Sequence, residues 1–198
     1  MKTRIVFYCS LVLLNGCIMF TAVPPGEFSY SGLNVTTGTT WNQAPREMTR
    51  LSRADAKTWT KNGILLDRIL IIPAVPDGEP LFRQVSGAQA LPLFDANMLP
   101  NELSEFTESS IVKLFGEGGA VVETSNMRPH RFGKDKGIIF NLEVRVSDGP
   151  DYKGVTGAVV AGEELYLIVF LGAEPYYYEK SLDEAIEIIE GSHVIAKQ

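Results

Sequence analysis

Three runs decide the fold: Gly137-Ile-Ile-Phe-Asn-Leu-Glu-Val-Arg-Val146, Gly154-Val-Thr-Gly-Ala-Val-Val160 and Glu164-Leu-Tyr-Leu-Ile-Val-Phe-Leu-Gly172. They are rich in β-branched and aromatic residues and are separated by Gly-rich or Asp-Gly turns, which is the pattern of strands joined by short connections. Upstream, Ala120 to Glu123 reads as another strand, and Pro100 opens a helix. Leu103, Phe106, Ile111 and Leu114 would line its buried face, and Gly116-Glu-Gly-Gly119 would stop it. Downstream, Ser181-Leu-Asp-Glu184 reads as a capping box that starts a last helix with Leu182, Ala185, Ile186 and Ile189 on one face.

Towards the amino terminus, Phe28 to Ser31, Leu33 to Val35, Met48 to Leu51 and Ala56 to Thr60 read as short strands. Lys61-Asn62-Gly63 ahead of Ile64 to Pro73 predicts a hairpin with a type I′ turn, setting Trp59 opposite Leu65 or Leu66. Ala74 to Leu99, with three prolines and little periodicity, predicts a long loop. Seven or eight strands with helices only after the fourth and the last make this an α+β fold, a mainly antiparallel β-sheet flanked by helices.

The chain of 198 residues is 45% apolar and 21% charged, the balance of one folded domain rather than a disordered chain or a coiled-coil rod. Its formal charge is −6, and without Lys2 and Arg4 it is −8, so a nucleic-acid partner is not expected.

Residues 1 to 16 have the charged start, the short apolar run Ile5 to Leu14 and the small-residue end of an export signal. Ten helical residues cover roughly 15 Å, half of the roughly 30 Å hydrocarbon core, so the run is too short to span. Leu14-Asn15-Gly16-Cys17 resembles the lipobox of bacterial lipoproteins, in which the cysteine is acylated and becomes the new amino terminus. The only other cysteine, Cys9, lies inside the signal. The competing readings are a permanent anchor running through Val23 and cleavage after Ala22. The resemblance implies a membrane anchor through acyl chains on Cys17, and Ile18 after it implies the periplasmic face of the outer membrane. The expected organisation is a signal peptide over 1–16, a lipidated Cys17 with a semi-extended tether over 17–27, and a single α+β domain over 28–198.

The run Trp59 to Ile69, Met98-Leu-Pro100-Asn-Glu102 opening a helix, Gly133 before a long strand, and Leu165-Tyr-Leu167 with the closing helix resemble a group of uncharacterised proteobacterial lipoproteins. Their pattern is similar to the PsbP-like fold. That resemblance implies no catalytic residue.

The motifs for chemistry are sparse. No nucleophile elbow, zinc-protease helix, phosphate loop or calcium loop occurs, and no cofactor or metal is expected. Of two histidines, His193 falls in the tail and is expected in solvent, which leaves a hydrolase only His130 as its base. Arg128, His130, Arg131, Lys134 and Lys136 put five potential positive charges close together in an acidic chain, a candidate cradle for an anion or a solvated turn. Tyr176, Tyr177 and Tyr178 form a second candidate surface or, more plainly, pack against the sheet. The expected function is a non-catalytic binding or scaffolding domain of the cell envelope with an envelope protein as partner. The alternative is a carrier of a small apolar or anionic molecule, held between sheet and helix under residues 74–99.

Overall fold

The computed structural model describes residues 19–116 and 118–195. The expected export signal and Cys17 lie outside the described residues. The amino-terminal strands are β1 (Thr21–Val23), β2 (Gly26–Tyr30), β3 (Leu33–Thr37), β4 (Trp41–Gln43), β5 (Lys57–Thr60) and β6 (Asp67–Pro76). Helix α1 (Pro100–Phe115) follows, then β7 (Ala120–Phe132), β8 (Asp135–Val146), β9 (Tyr152–Ala161) and β10 (Glu164–Ala173), and last α2 (Tyr176–Gly191) and β11 (His193–Val194). Eight strands form one sheet in the order β1-β4-β5-β6-β10-β9-β8-β7, and β11-β3-β2 form a second. Every paired ladder is antiparallel.

Alternation along β10 explains the layering. Leu165, Leu167, Val169 and Leu171 join a core with Phe106 of α1 and with Leu81, Phe82 and Phe94 of the loop before it. Tyr166, Ile168 and Phe170 join the opposite core with Trp41, Trp59, Leu33, Val35 and Ile188 of α2. Side chains point to alternate faces of a strand, so a strand covered on both sides reads as one unbroken apolar run. Helix α2 lies close because Gly157 leaves room for it: a Cβ there would stand 2.6 Å from Ile189 Cγ2.

Helix α1 begins and ends where the sequence places it. Glu102 Oε2 accepts the Leu99 N–H at 2.6 Å, so the missing N-cap hydroxyl is offset by the returning glutamate, and Gly116 leaves the helix at φ +74°.

Several expectations are corrected. The stretch Thr21 to Glu27 is not a free spacer, because β1 pairs with β4 and Val23 is buried. Met48 to Leu51 is not a strand: a 3-10 turn covers Arg46–Met48, and the Arg46 guanidinium donates to the carbonyls of Thr49, Ser52 and Arg53 at 3.3, 2.8 and 2.7 Å. The Asn62-Gly63 connection is longer than a two-residue turn, and its register sets Trp59 opposite Ile69 rather than Leu65 or Leu66. Strand β6 runs on to Pro76 through a bulge beside Pro73, which has no N–H for the ladder, with Ala74 at φ +48°. The long loop is therefore 77–99. Helix α2 starts at Tyr176, not Ser181, whose buried hydroxyl points to Asp67 Oδ2 at 3.4 Å instead of capping. Eleven strands form among the described residues, not seven or eight.

Candidate functional site

A cavity of about 540 Å³ opens between α1 and the large sheet, within the roughly 300–1,000 Å³ typical of ligand pockets. Its walls are strand residues Leu70, Leu167 and Val169 on one side and Ile111 and Leu114 of α1 on the other. Leu81 and Phe82, from the long loop, close part of it, and the 47–52 segment closes the rest. The rim carries Met48, Leu51, Leu65 and Phe115, all exposed, Leu65 to 69%. Arg46 makes this geometry by holding the turn that carries Met48 and Leu51.

Three charged residues line the cavity: Glu47 and Arg50 on the exposed turn, and Arg68 on β6. Arg68 lies on the same face of its strand as Leu70 and Ile72. Its Nη1 donates to the Ile64 carbonyl at 2.8 Å, and the guanidinium carbon stands 5.1 Å from the centre of the Tyr152 ring. The Tyr152 hydroxyl donates to the Leu65 carbonyl at 2.8 Å. Among the described residues no carboxylate comes within ion-pair distance of Arg68. Desolvation lowers its pKa from the ordinary guanidinium value, with Tyr152 opposing the shift.

Sequence reasoning passed over Arg68. The available signal was an arginine at a period-2 position with Leu70 and Ile72, where an apolar side chain belongs.

The basic cluster is divided by strand alternation. Arg128 Nη2 reaches Glu190 Oε1 at 3.1 Å, and His130 Nε2 lies 3.1 Å from the Glu190 carbonyl, with its ring edge-on to Phe132. Both therefore face α2. Arg131 and Lys136 are cross-strand partners on the other face, and Lys134 sits in the turn, its carbonyl accepting from Arg131 Nη1 at 3.3 Å. Of the five, His130, Arg131 and Lys136 line one open surface cavity with Pro129 and Gly137, whereas Arg128 is paired with Glu190 and Lys134 sits in the turn. Strand β7 is a sheet edge, where charged residues and a proline such as Pro129 discourage pairing with another chain. His130 makes no hydrogen bond to a hydroxyl or carboxylate among the described residues.

The tyrosines form the first turn of α2 rather than one patch. Tyr178 stacks on Phe170 with centroids 6.1 Å apart, Tyr177 packs on the α1-side core, and Tyr176 is exposed beneath Lys180. His193 is not a solvated tail residue: it pairs with Asn34 in β11, and its side chain is half-exposed.

The architecture matches a solved structure. The solution structure of cyanobacterial PsbP (CyanoP) from Synechocystis sp. PCC 6803 aligns over 91% of this chain and 95% of its own, with a TM-score of 0.56 and 9% identity. The chain has a PsbP-like fold. No protein-family model and no curated sequence matches it. Within this PsbP-like fold no described helix is long and apolar enough to cross a membrane, and no three described His, Cys, Asp or Glu side chains gather as a metal site.

Proposed function

We propose that this chain is a lipid-anchored, non-catalytic binding domain of the bacterial cell envelope, held on the periplasmic face of the outer membrane, whose ligand is a small apolar molecule. The observation that carries the reading is the apolar cavity between α1 and the sheet, with its exposed rim of Met48, Leu51 and Leu65. Anchoring rests on the lipobox-like Leu14-Asn15-Gly16-Cys17. Strand β1 starts at Thr21, so at about 3.4 Å per extended residue an acyl group on Cys17 would lie within ~14 Å of the sheet. Thr21 is paired with Gln43, shortly before the turn that carries the rim. A membrane would then be both the anchoring surface and the source of ligand.

Native mass spectrometry of the full chain, extracted from membranes and released from detergent in the instrument, tests the reading. The expected spectrum shows one small apolar molecule retained per chain, and Leu167→Trp, which fills the cavity, loses it while staying folded. A wild-type chain that carries nothing, or a Leu167→Trp chain with unchanged cargo, overturns the pocket as the binding site.

A further inference from the structure

Arg68 gives the cavity a polarity that a purely apolar ligand would not need. The guanidinium has five N–H donors in a planar fork, and the structure engages it through one carbonyl and one aromatic ring. Arg68 is half-buried among Leu70, Leu171 and Ile64 with no carboxylate beside it, so its partial desolvation lacks the compensating attraction of an ion pair. A ligand that brings its own negative charge supplies that attraction, and the fork fits a two-oxygen head with parallel hydrogen bonds. Glu47, the only acid among the lining residues, is on the exposed turn, and Arg50 beside it leaves the lining with a net positive charge inside an acidic protein.

Size narrows the choice further. Liquid water occupies roughly 30 Å³ per molecule and a methylene group is of similar bulk, so about 540 Å³ admits one acyl chain and a compact head but not a two-chain phospholipid.

We propose that the ligand is a single-chain amphiphile with a carboxylate head, a long-chain monocarboxylic acid, whose head is gripped by Arg68 and whose chain lies along Leu70, Leu167, Val169 and Ile111. This rests on the pocket reading above and adds the head group. Arg68 is a specificity-determining residue in it: the chain finds the cavity by burial of apolar surface, and the arginine separates an acid from a neutral lipid of equal length.

The test uses the full chain in phosphatidylcholine vesicles containing one of three photoreactive diazirine probes of matched chain length. The probes are a sixteen-carbon (~16) acid, its alcohol and the corresponding lysophosphatidic acid, and labelled peptides are mapped by mass spectrometry. The expected result is labelling of the peptides holding Ile111 and Leu167 that is at least about tenfold stronger with the acid than with the alcohol. Arg68→Gln should bring the acid down to the alcohol level, and Arg68→Lys, which keeps charge without the fork, should fall between. The wild-type ratio of acid to alcohol requires no variant, so the test survives a misfolded mutant. Equal labelling by acid and alcohol, with both lost in Leu167→Trp, overturns the head-group assignment and leaves the pocket standing. Stronger labelling by lysophosphatidic acid than by the acid overturns the carboxylate class. No labelling of these peptides by any probe overturns the pocket reading itself.

Discussion

The Thr60 hydroxyl donates to Asp67 Oδ1 at 2.6 Å, and both residues are buried, at either end of the turn between β5 and β6. The same oxygen accepts the N–H groups of Lys61 and Asn62 at 2.9 and 3.0 Å, while Asn62 Nδ2 and the Ser181 hydroxyl approach Oδ2. One carboxylate thus sets the turn and fastens α2 to it. Asp67→Ala would leave several buried donors without an acceptor, each costing about 1–3 kcal/mol. Urea unfolding should show a loss of about 3 kcal/mol or more, with Asp67→Asn losing less. A loss below about 1 kcal/mol would mean that water or relaxed neighbours replace the carboxylate.

Stability should also fall in acid through Glu184. Burial pushes its carboxyl pKa up, but the hydrogen bonds from Lys61 and Thr39 and the Lys61 charge win, holding it below the ordinary value. A depressed folded pKa stabilises fully above the unfolded value of ~4.3, and the gain is lost as pH falls through the folded one. The Glu184 side chain is 32% exposed, so the effect is screened in part. Unfolding midpoints measured from pH 6 down to pH 3 (approximately the range spanning ~4.3) should converge between wild type and Glu184→Gln at the acid end. Parallel curves would remove Glu184 from the account.

The backbone of α2 rests directly on β10. A Cβ at Gly172 would lie 2.5 Å from Tyr178 Cα and 2.7 Å from its nitrogen, main-chain atoms that cannot swing aside. Gly172→Ala should cost about 1–3 kcal/mol by overpacking. Gly191→Ala, at the other end of α2 with nothing within 4 Å, should be neutral or slightly stabilising. Thermal unfolding of both variants compares the two directly, and an undisturbed Gly172→Ala would contradict the close approach.

The strands that read clearly were those whose residues carry their own reason to be there. The apolar runs of β8, β9 and β10 need cover on two sides wherever they are placed, and Pro100 with Gly116 punctuates α1 locally. The errors lie where a distant side chain decides. Arg46 turns 46–53 into a knot of carbonyl bonds, so Met48 to Leu51 has strand composition but no ladder to join. Ser181 has the spacing of a cap, yet a buried carboxylate 114 positions away takes its hydroxyl. Strand β1 is three residues long, and nothing within Thr21–Val23 announces that Gln43 to Trp41 will pair with it.

The site was legible in outline only. A pocket between sheet and helix under residues 74–99 was among the expectations, and Leu81 and Phe82 supply part of that cover; the 47–52 segment, which closes the rest, is a contact that no spacing reveals. Charge clustering drew notice to Arg128–Lys136 because local sequence density is visible, whereas a strand sends neighbouring residues to opposite faces. A lone Arg68 in an apolar strand was the quieter feature and the more informative one.

If the basic residues of β7 and β8 guard an edge, removing them should change solubility before it changes stability. The Arg128–Glu190 pair is 44% exposed on both sides, and such pairs contribute about 0–1 kcal/mol. Arg131 and Lys136 lie side by side on the outermost ladder of the large sheet. Replacing both with threonine keeps strand propensity while erasing two like charges that repel a second copy. The double variant should unfold at nearly the wild-type temperature, yet light scattering at rising protein concentration should show association absent from wild type. Restoring arginine at position 131 alone should reverse much of it, since one charge pointing from an edge strand already interrupts a flat pairing surface. A double variant that stays as dispersed as wild type would transfer edge protection to Pro129, whose missing N–H blocks a ladder bond without any charge.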